Sequence, residues 1–140
     1  MIRFVLDTDT VSLLQHGHQT VSTHVTRYGP DEVGTTVISV EEQLSAWYTL
    51  LRRARTARQL VPVYERMTLA VRFLSRLPLL SFSERAADLY ERLRKEKPRT
   101  GRMDLRIAAI ALANGAALVT RNVSDFTDID GLQLVDWSRP

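Results

Sequence analysis

The chain has 140 residues, of which 44% are hydrophobic and 25% charged, with a net charge of +3 and no cysteine. That length suits one domain, and the composition excludes a disordered tail, a collagen-like repeat and a disulfide scaffold. Without cysteine there is no thiolate nucleophile and no Cys-ligated zinc.

The apolar runs are interrupted well short of membrane-spanning length, and the N-terminus lacks the design of a signal peptide. The expectation is a single domain over 1–140, cytoplasmic and without a membrane partner. Charge is unevenly placed: residues 50–106 carry 15 Lys/Arg against 6 Asp/Glu, whereas the rest carries 4 against 10. A basic middle between acidic ends suits a carboxylate-lined site framed by a surface that attracts polyanions, or simply solvated helix faces.

In chain order, Ile2 to Leu6 is short, apolar and β-prone and reads as a buried strand. Val11 to Gln15 reads as a short helix ended near Gly17, and a second spans about Gln19 to Tyr28. Gly29-Pro30-Asp31 is a turn. Val33 to Ile38, rich in β-branched residues, reads as the second strand, and Ser39 starts a long helix through about Arg58. Pro62 suits the first turn of a further helix to about Leu77, so that a helical hairpin occupies about 39–77. Residues 78–82 form a short strand or a connector. Ser83 caps a helix from Glu84 to about Lys97, and Arg102 to Asn114 is a helix with Gly115 at its C′ position. Ala117 to Thr120 and Leu132 to Val135 are the last strands.

Strands alternating with helices predict an α/β fold with a short, mainly parallel sheet covered on both faces. Sites in such sheets form beyond the carboxyl ends of the strands, where the following helices begin. Asp7 follows the first strand, Glu41 and Glu42 follow the second, Asp125 follows the third, and Asp104 opens the helix that leads into the third. Four acidic segments thus converge on one rim. Crowded carboxylates repel, and a hard divalent cation, Mg²⁺ or Mn²⁺, relieves the conflict. Such an ion suits phosphodiester hydrolysis. Each acid also has a structural reading: a capping box from Ser39 to Glu42, helix-start charges at Glu41 and Asp104, and a turn or cap at Asp125. Asp7, ending an apolar strand, needs a partner.

These segments resemble the PIN-domain ribonucleases, specifically the VapC-like toxins of toxin–antitoxin pairs. Phe4 to Thr10 resembles the opening strand and its "LDTN" motif, and Thr36 to Leu44 the second strand with its glutamate-bearing helix. Gly101 to Asp104 with Ile107-Ala108-Ala109 resembles the third-acid segment. Leu118 to Phe126 resembles "LVTxNxxDF", and Gly131 to Trp137 the usual ending.

The resemblance implies a three-layer α/β/α PIN-like fold and a metal-dependent endoribonuclease with Asp7, Glu42, Asp104 and Asp125 as catalytic and metal-ligating acids. Glu41 is the alternative to Glu42. Thr8, Asp9, Thr120 and Asn122 would support them, with Asp9 standing where the family commonly has Asn. The resemblance also implies RNA as substrate, an antitoxin partner and a homodimer. Arg52, Arg53, Arg55, Arg58, Arg94 and Lys95 would contact RNA or the antitoxin.

Other features carry less. His16 and His18 form an HxH pair without a third ligand, and His24 reads as a surface helix residue. Trp47 and Tyr48 sit in an apolar helical pattern that suits packing or a subunit contact better than base stacking. Two rival functions exist: a haloacid-dehalogenase-like phosphatase, in which Asp7 is nucleophile and Asp9 acid/base, and an inactive RNA- or protein-binding module on the same fold.

Overall fold

Short strands alternate with helices along the chain. Strand β1 (Phe4–Leu6) leads into α1 (Thr8–Gln15) and α2 (Gln19–Thr26). Strand β2 (Val33–Thr36) leads into a pair of long helices, α3 (Val37–Arg53) and α4 (Ala57–Leu74). Strand β3 (Leu79–Leu80) precedes α5 (Glu84–Glu96) and α6 (Arg102–Ala113). Strand β4 (Ala117–Val119), the short α7 (Val123–Phe126) and β5 (Leu134–Val135) complete the chain. The structure is a computed structural model that describes residues 1–140.

The five strands form one sheet in the order β3-β2-β1-β4-β5. Every pairing is parallel, with Val5 opposite Gly34 on one side and Leu118 on the other. Successive side chains alternate between faces, so adjacent residues enter different cores. Val5 and Leu118 pack with the inner faces of α5 and α6, around Tyr90, Leu93, Ile107, Ile110 and Phe126. Leu6, Val33 and Val119 pack on the opposite side with Val11, Leu74 and Trp137. The result is the expected α/β/α layering, with no helix long and apolar enough to cross a membrane.

Several boundaries differ from the sequence reading. The β-branched run at Thr35 to Ile38 is strand only as far as Thr36, whose hydroxyl accepts from the Ser39 amide at 3.2 Å and caps α3. The capping box at Ser39 therefore does not form, and Glu42 lies in the second turn of α3. The hairpin breaks earlier than Arg58 because Thr56 caps α4. Gln59 Oε1 accepts from the Arg55 and Thr56 amides at 2.7 and 3.3 Å. Pro62 thus falls inside α4 instead of in its first turn. Helix α1 starts at Thr8, three residues before the expected start, because Asp7 caps it. Helix α7 is an addition, too short to leave a periodic pattern.

Gly34 marks the tightest approach in the sheet. A Cβ there would stand 2.6 Å from the Pro78 carbonyl oxygen and 3.3 Å from Ile2 Cδ1. That carbonyl already accepts from the Thr35 amide at 3.0 Å, so it is not free to retreat. We expect Gly34→Ala to lower the unfolding free energy by about 1–3 kcal/mol. Urea denaturation followed by circular dichroism measures it, and an unchanged midpoint would contradict the packing described.

Candidate active site

Three backbone and hydroxyl links bring the carboxyl ends of the central strands into register. The Asp7 amide donates to the Val119 carbonyl at 3.0 Å, and Thr10 Oγ1 donates to the same carbonyl at 3.2 Å. Thr35 Oγ1 donates to the Leu6 carbonyl at 2.9 Å. These buried bonds hold the start of α1 against β4 and β2 (a location that hydrophobic packing alone would not define so sharply).

Asp7 is almost fully buried, with 5% exposure. Its Oδ1 accepts from the Thr10 amide at 2.8 Å, which satisfies one orphan donor at the start of α1. One carboxylate therefore has both a structural partner and a place at the sheet edge. Thr8 Oγ1 lies 2.6 Å from Glu42 Oε1 and 2.9 Å from Ser39 Oγ. With a single proton to give, Thr8 donates to the carboxylate and fixes the Glu42 head group against the start of α1. Ser39 enters this network from the buried side of α3, a role the sequence reading missed by treating Ser39 as a cap.

Asp104 stands in the first turn of α6 and is about half-buried. Burial raises its pKa, and the charges of Glu42, Asp7 and Asp125 raise it further, in that order. Carboxylates from three separate segments thus lie within electrostatic reach of Asp104. Glu41 is exposed, whereas Glu42 is partly buried and hydrogen-bonded to Thr8. Asp125 is exposed on the four-residue helix α7.

The donor set consists of carboxylate and hydroxyl oxygens, which suits a hard divalent cation. No three His, Cys, Asp or Glu side chains are gathered at chelating distance. The pKa of Asp104 is raised first by burial and then by the neighbouring carboxylate charges, a penalty that a bound cation would offset.

The supporting positions fall into two groups. Thr120 is buried, and its Oγ1 accepts from the Asn122 amide at 3.0 Å, shaping the turn between β4 and α7 that carries Asp125. The Asn122 side chain is exposed and makes no cap hydrogen bond. Asp9 pairs with a cation: its Oδ2 accepts from Arg121 Nε at 2.8 Å, with both side chains nearly half exposed. That ion pair neutralises the extra acid, which does not figure among the charges acting on Asp104.

The basic residues singled out in the sequence are distributed over two regions. Arg52 and Arg53 end α3, Arg55 lies in the connection, and Arg58 is in the first turn of α4. Arg94 and Lys95 are in the last turn of α5, where Arg94 Nη1 pairs with Glu91 at 3.1 Å. The histidines have structural partners. His16 Nδ1 lies 2.7 Å from the Ser12 carbonyl, and His18 Nδ1 accepts from the Val21 amide at 3.3 Å. His24 is not a free surface residue: it stacks on Trp137 at 5.6 Å, and its Nε2 lies 3.1 Å from the Arg139 carbonyl. Trp47 is half-buried, lines an apolar groove between α1, α3 and α4, and carries the Arg66 guanidinium 5.3 Å from its ring centre.

No family profile matches the chain. Over 71 residues it is 39% identical to the Ribonuclease VapC2 of Rickettsia felis, covering 48% of this chain and 53% of that protein. Over 70 residues it is 36% identical to the tRNA(fMet)-specific endonuclease VapC of Shigella flexneri, covering 47% and 53%. The matched stretch thus spans about half the length of these curated relatives. The structure superposes on that of VapBC2 from Rickettsia felis bound to a DNA fragment from their promoter. The TM-score is 0.74, with 25% identity over 98% of this chain and 99% of the other. The fold is that of a PIN-like α/β domain. Within that class, the chain resembles the VapC proteins over the matched half and in overall fold.

The electrostatics have a direct consequence for stability. With its folded pKa raised, Asp104 keeps a proton in a range where the unfolded chain has released it. Stability from this group is therefore fully present below the unfolded pKa and declines as pH rises toward the raised folded value. We expect Asp104→Asn to melt at a higher temperature than the parent at neutral pH in a chelator. The difference should vanish in acid and narrow with millimolar Mg²⁺. A lower melting temperature at neutral pH would contradict the repulsion.

Proposed function

We propose that this chain is a divalent-metal-dependent endoribonuclease that hydrolyses RNA phosphodiester bonds and is the toxin of a toxin–antitoxin pair. The observation that carries the reading is the convergence of Asp7, Glu42 and Asp125 on half-buried Asp104. Support also comes from the ribonuclease and endonuclease names of its partial relatives.

Asp7, Glu42 and Asp104 would hold Mg²⁺ or Mn²⁺, and Asp125 would complete the site or orient the attacking water. Bound there, the cation supplies Lewis acidity toward a phosphoryl oxygen and lowers the pKa of water. The chain's own residues set the geometry. Thr8 holds the Glu42 carboxylate by its hydroxyl, and the Thr10 amide leaves only part of the Asp7 carboxylate free. Thr120 and Asn122 form the turn that presents Asp125.

An antitoxin is the proposed protein partner and a second copy of the chain the proposed oligomeric one. The α3–α4 pair offers surface for such contacts, with Tyr48, Tyr64, Leu69 and Val71 exposed to about half or more. Arg52, Arg53, Arg55, Arg58, Arg94 and Lys95 are the proposed basic contacts for RNA or the antitoxin. This reading makes the working compartment the cytoplasm.

Incubation of purified protein with structured and single-stranded RNA, in Mg²⁺, in Mn²⁺ and in chelator, tests the reading. Cleavage is expected with either ion and none in chelator. Asp7→Asn and Asp104→Asn should each reduce the rate roughly a hundredfold or more. Asparagine also caps helices, so Asp7→Asn keeps the start of α1. Asp9→Asn should cleave within a few-fold of the parent, because Asp9 pairs with Arg121 outside the four-acid set. Binding without cleavage in both ions, or full cleavage in both Asp7→Asn and Asp104→Asn, would overturn the assignment.

A further inference from the structure

Two polar hollows flank the acidic edge and share a single residue, Gly101. One, of about 410 Å³, is lined by Glu42, Asp104, Arg102 and Arg106 together with Glu41 and Met103. The other, of about 400 Å³, is lined by Asp125, Lys97, Arg99 and Thr100 among others. Glu42 and Asp104 thus lie on one side, and Asp125 on the other, of a residue without a side chain.

The cations of the hollows are not equivalent. Lys97 Nζ donates to the Thr127 carbonyl at 3.2 Å and ties down the end of α7. Arg106 lies 5.3 Å from the Tyr90 ring centre and donates to Met103 Sδ. Arg99 and Arg102 are exposed and take part in none of the chain's ion pairs or side-chain hydrogen bonds. One free guanidinium therefore stands on each side of Gly101, close to carboxylates that would repel a polyanion.

We propose that a single RNA strand crosses the acidic edge over Gly101, with Arg99 and Arg102 binding the phosphates on either side of the one to be cut. This inference rests on the ribonuclease reading and supplies its strand path. Guanidinium forks bind phosphate oxygens in pairs, and their positive charge offsets the repulsion by the acids. Neither hollow has an aromatic lining, so the strand is held by charge and hydrogen bonds instead of base stacking. Gly101 matters by what it lacks. Its backbone is ordinary for any residue, and an added Cβ would meet only Asp104 Oδ2, at 3.9 Å. A long side chain at position 101 would therefore fold but stand where the strand passes.

The test is fluorescence anisotropy with a labelled single-stranded RNA of mixed sequence, in Mg²⁺, in an Asp104→Asn background that does not consume the probe. Arg99→Ala with Arg102→Ala should weaken binding roughly tenfold and make the log–log salt slope shallower by about 1.4, near 0.7 per lost phosphate contact. Arg99→Lys with Arg102→Lys should recover most of the slope. Gly101→Leu should weaken binding without changing the slope attributable to the two arginines. Arg72→Ala with Arg76→Ala, exposed arginines that line neither hollow, should leave both quantities near the parent's. In the cleavage-competent chain, the Arg99/Arg102 pair should raise KM while kcat stays within about twofold, since only binding common to ground and transition states is lost. Unchanged affinity and slope in the Arg99/Arg102 variant, or an equal loss in the Arg72/Arg76 variant, would overturn the path. If the unaltered chain binds RNA and cuts none, the nuclease reading fails, and the same binding series still decides the path.

Discussion

The energetically costly feature of this fold is a half-buried aspartate with three other carboxylates in electrostatic reach. Asp104 loses solvent on folding, and the charges of Glu42, Asp7 and Asp125 add to that penalty. A chain selected for stability alone has cheaper residues for position 104. The fold tolerates the arrangement because each member is individually accommodated: Asp7 caps α1, Glu42 accepts from Thr8, Asp125 is exposed to solvent, and Asp104 sits in the first turn of α6, where the helix dipole favours negative charge. The strain is confined to one edge and is what a cation would relieve.

The parallel sheet explains why residues so far apart in sequence meet. In a parallel sheet the carboxyl ends of all strands lie on one side, and each following helix begins there. Strands of only two to four residues would define that edge loosely by pairing alone. Buried threonines sharpen it. Thr10 and Thr35 bond across to the carbonyls of neighbouring strands, and Thr120 shapes the turn toward α7. Their place is the carboxyl edge, where backbone carbonyls end the ladder and need donors.

Strands, their order of appearance and the two helices around Asp104 were legible because apolar runs and caps such as Ser83 act locally. The hairpin boundaries were not. Thr35 to Ile38 reads as strand by β-propensity, yet Thr36 caps a helix and Val37 begins it, since propensity yields to the hydrogen bonds a position can make. That shift removes the capping-box alternative for Glu42, whose side chain is held by Thr8 from another element, a contact no local pattern encodes. The same limit hid the Asp9–Arg121 pair, whose partners lie 112 positions apart. The basic middle was visible as a total, but only the fold separates Lys97 and Arg106, which have protein partners, from Arg99 and Arg102, which have none.

The claim that unites fold, electrostatics and chemistry is that the acidic edge holds a divalent cation. Crystals of the protein soaked in Mn²⁺, with anomalous diffraction collected near the manganese edge, test it directly. The account predicts an anomalous peak between the Asp7 and Asp104 carboxylates. Saturating Mn²⁺ that leaves this position without a peak, or places its density only elsewhere on the molecule, would contradict it.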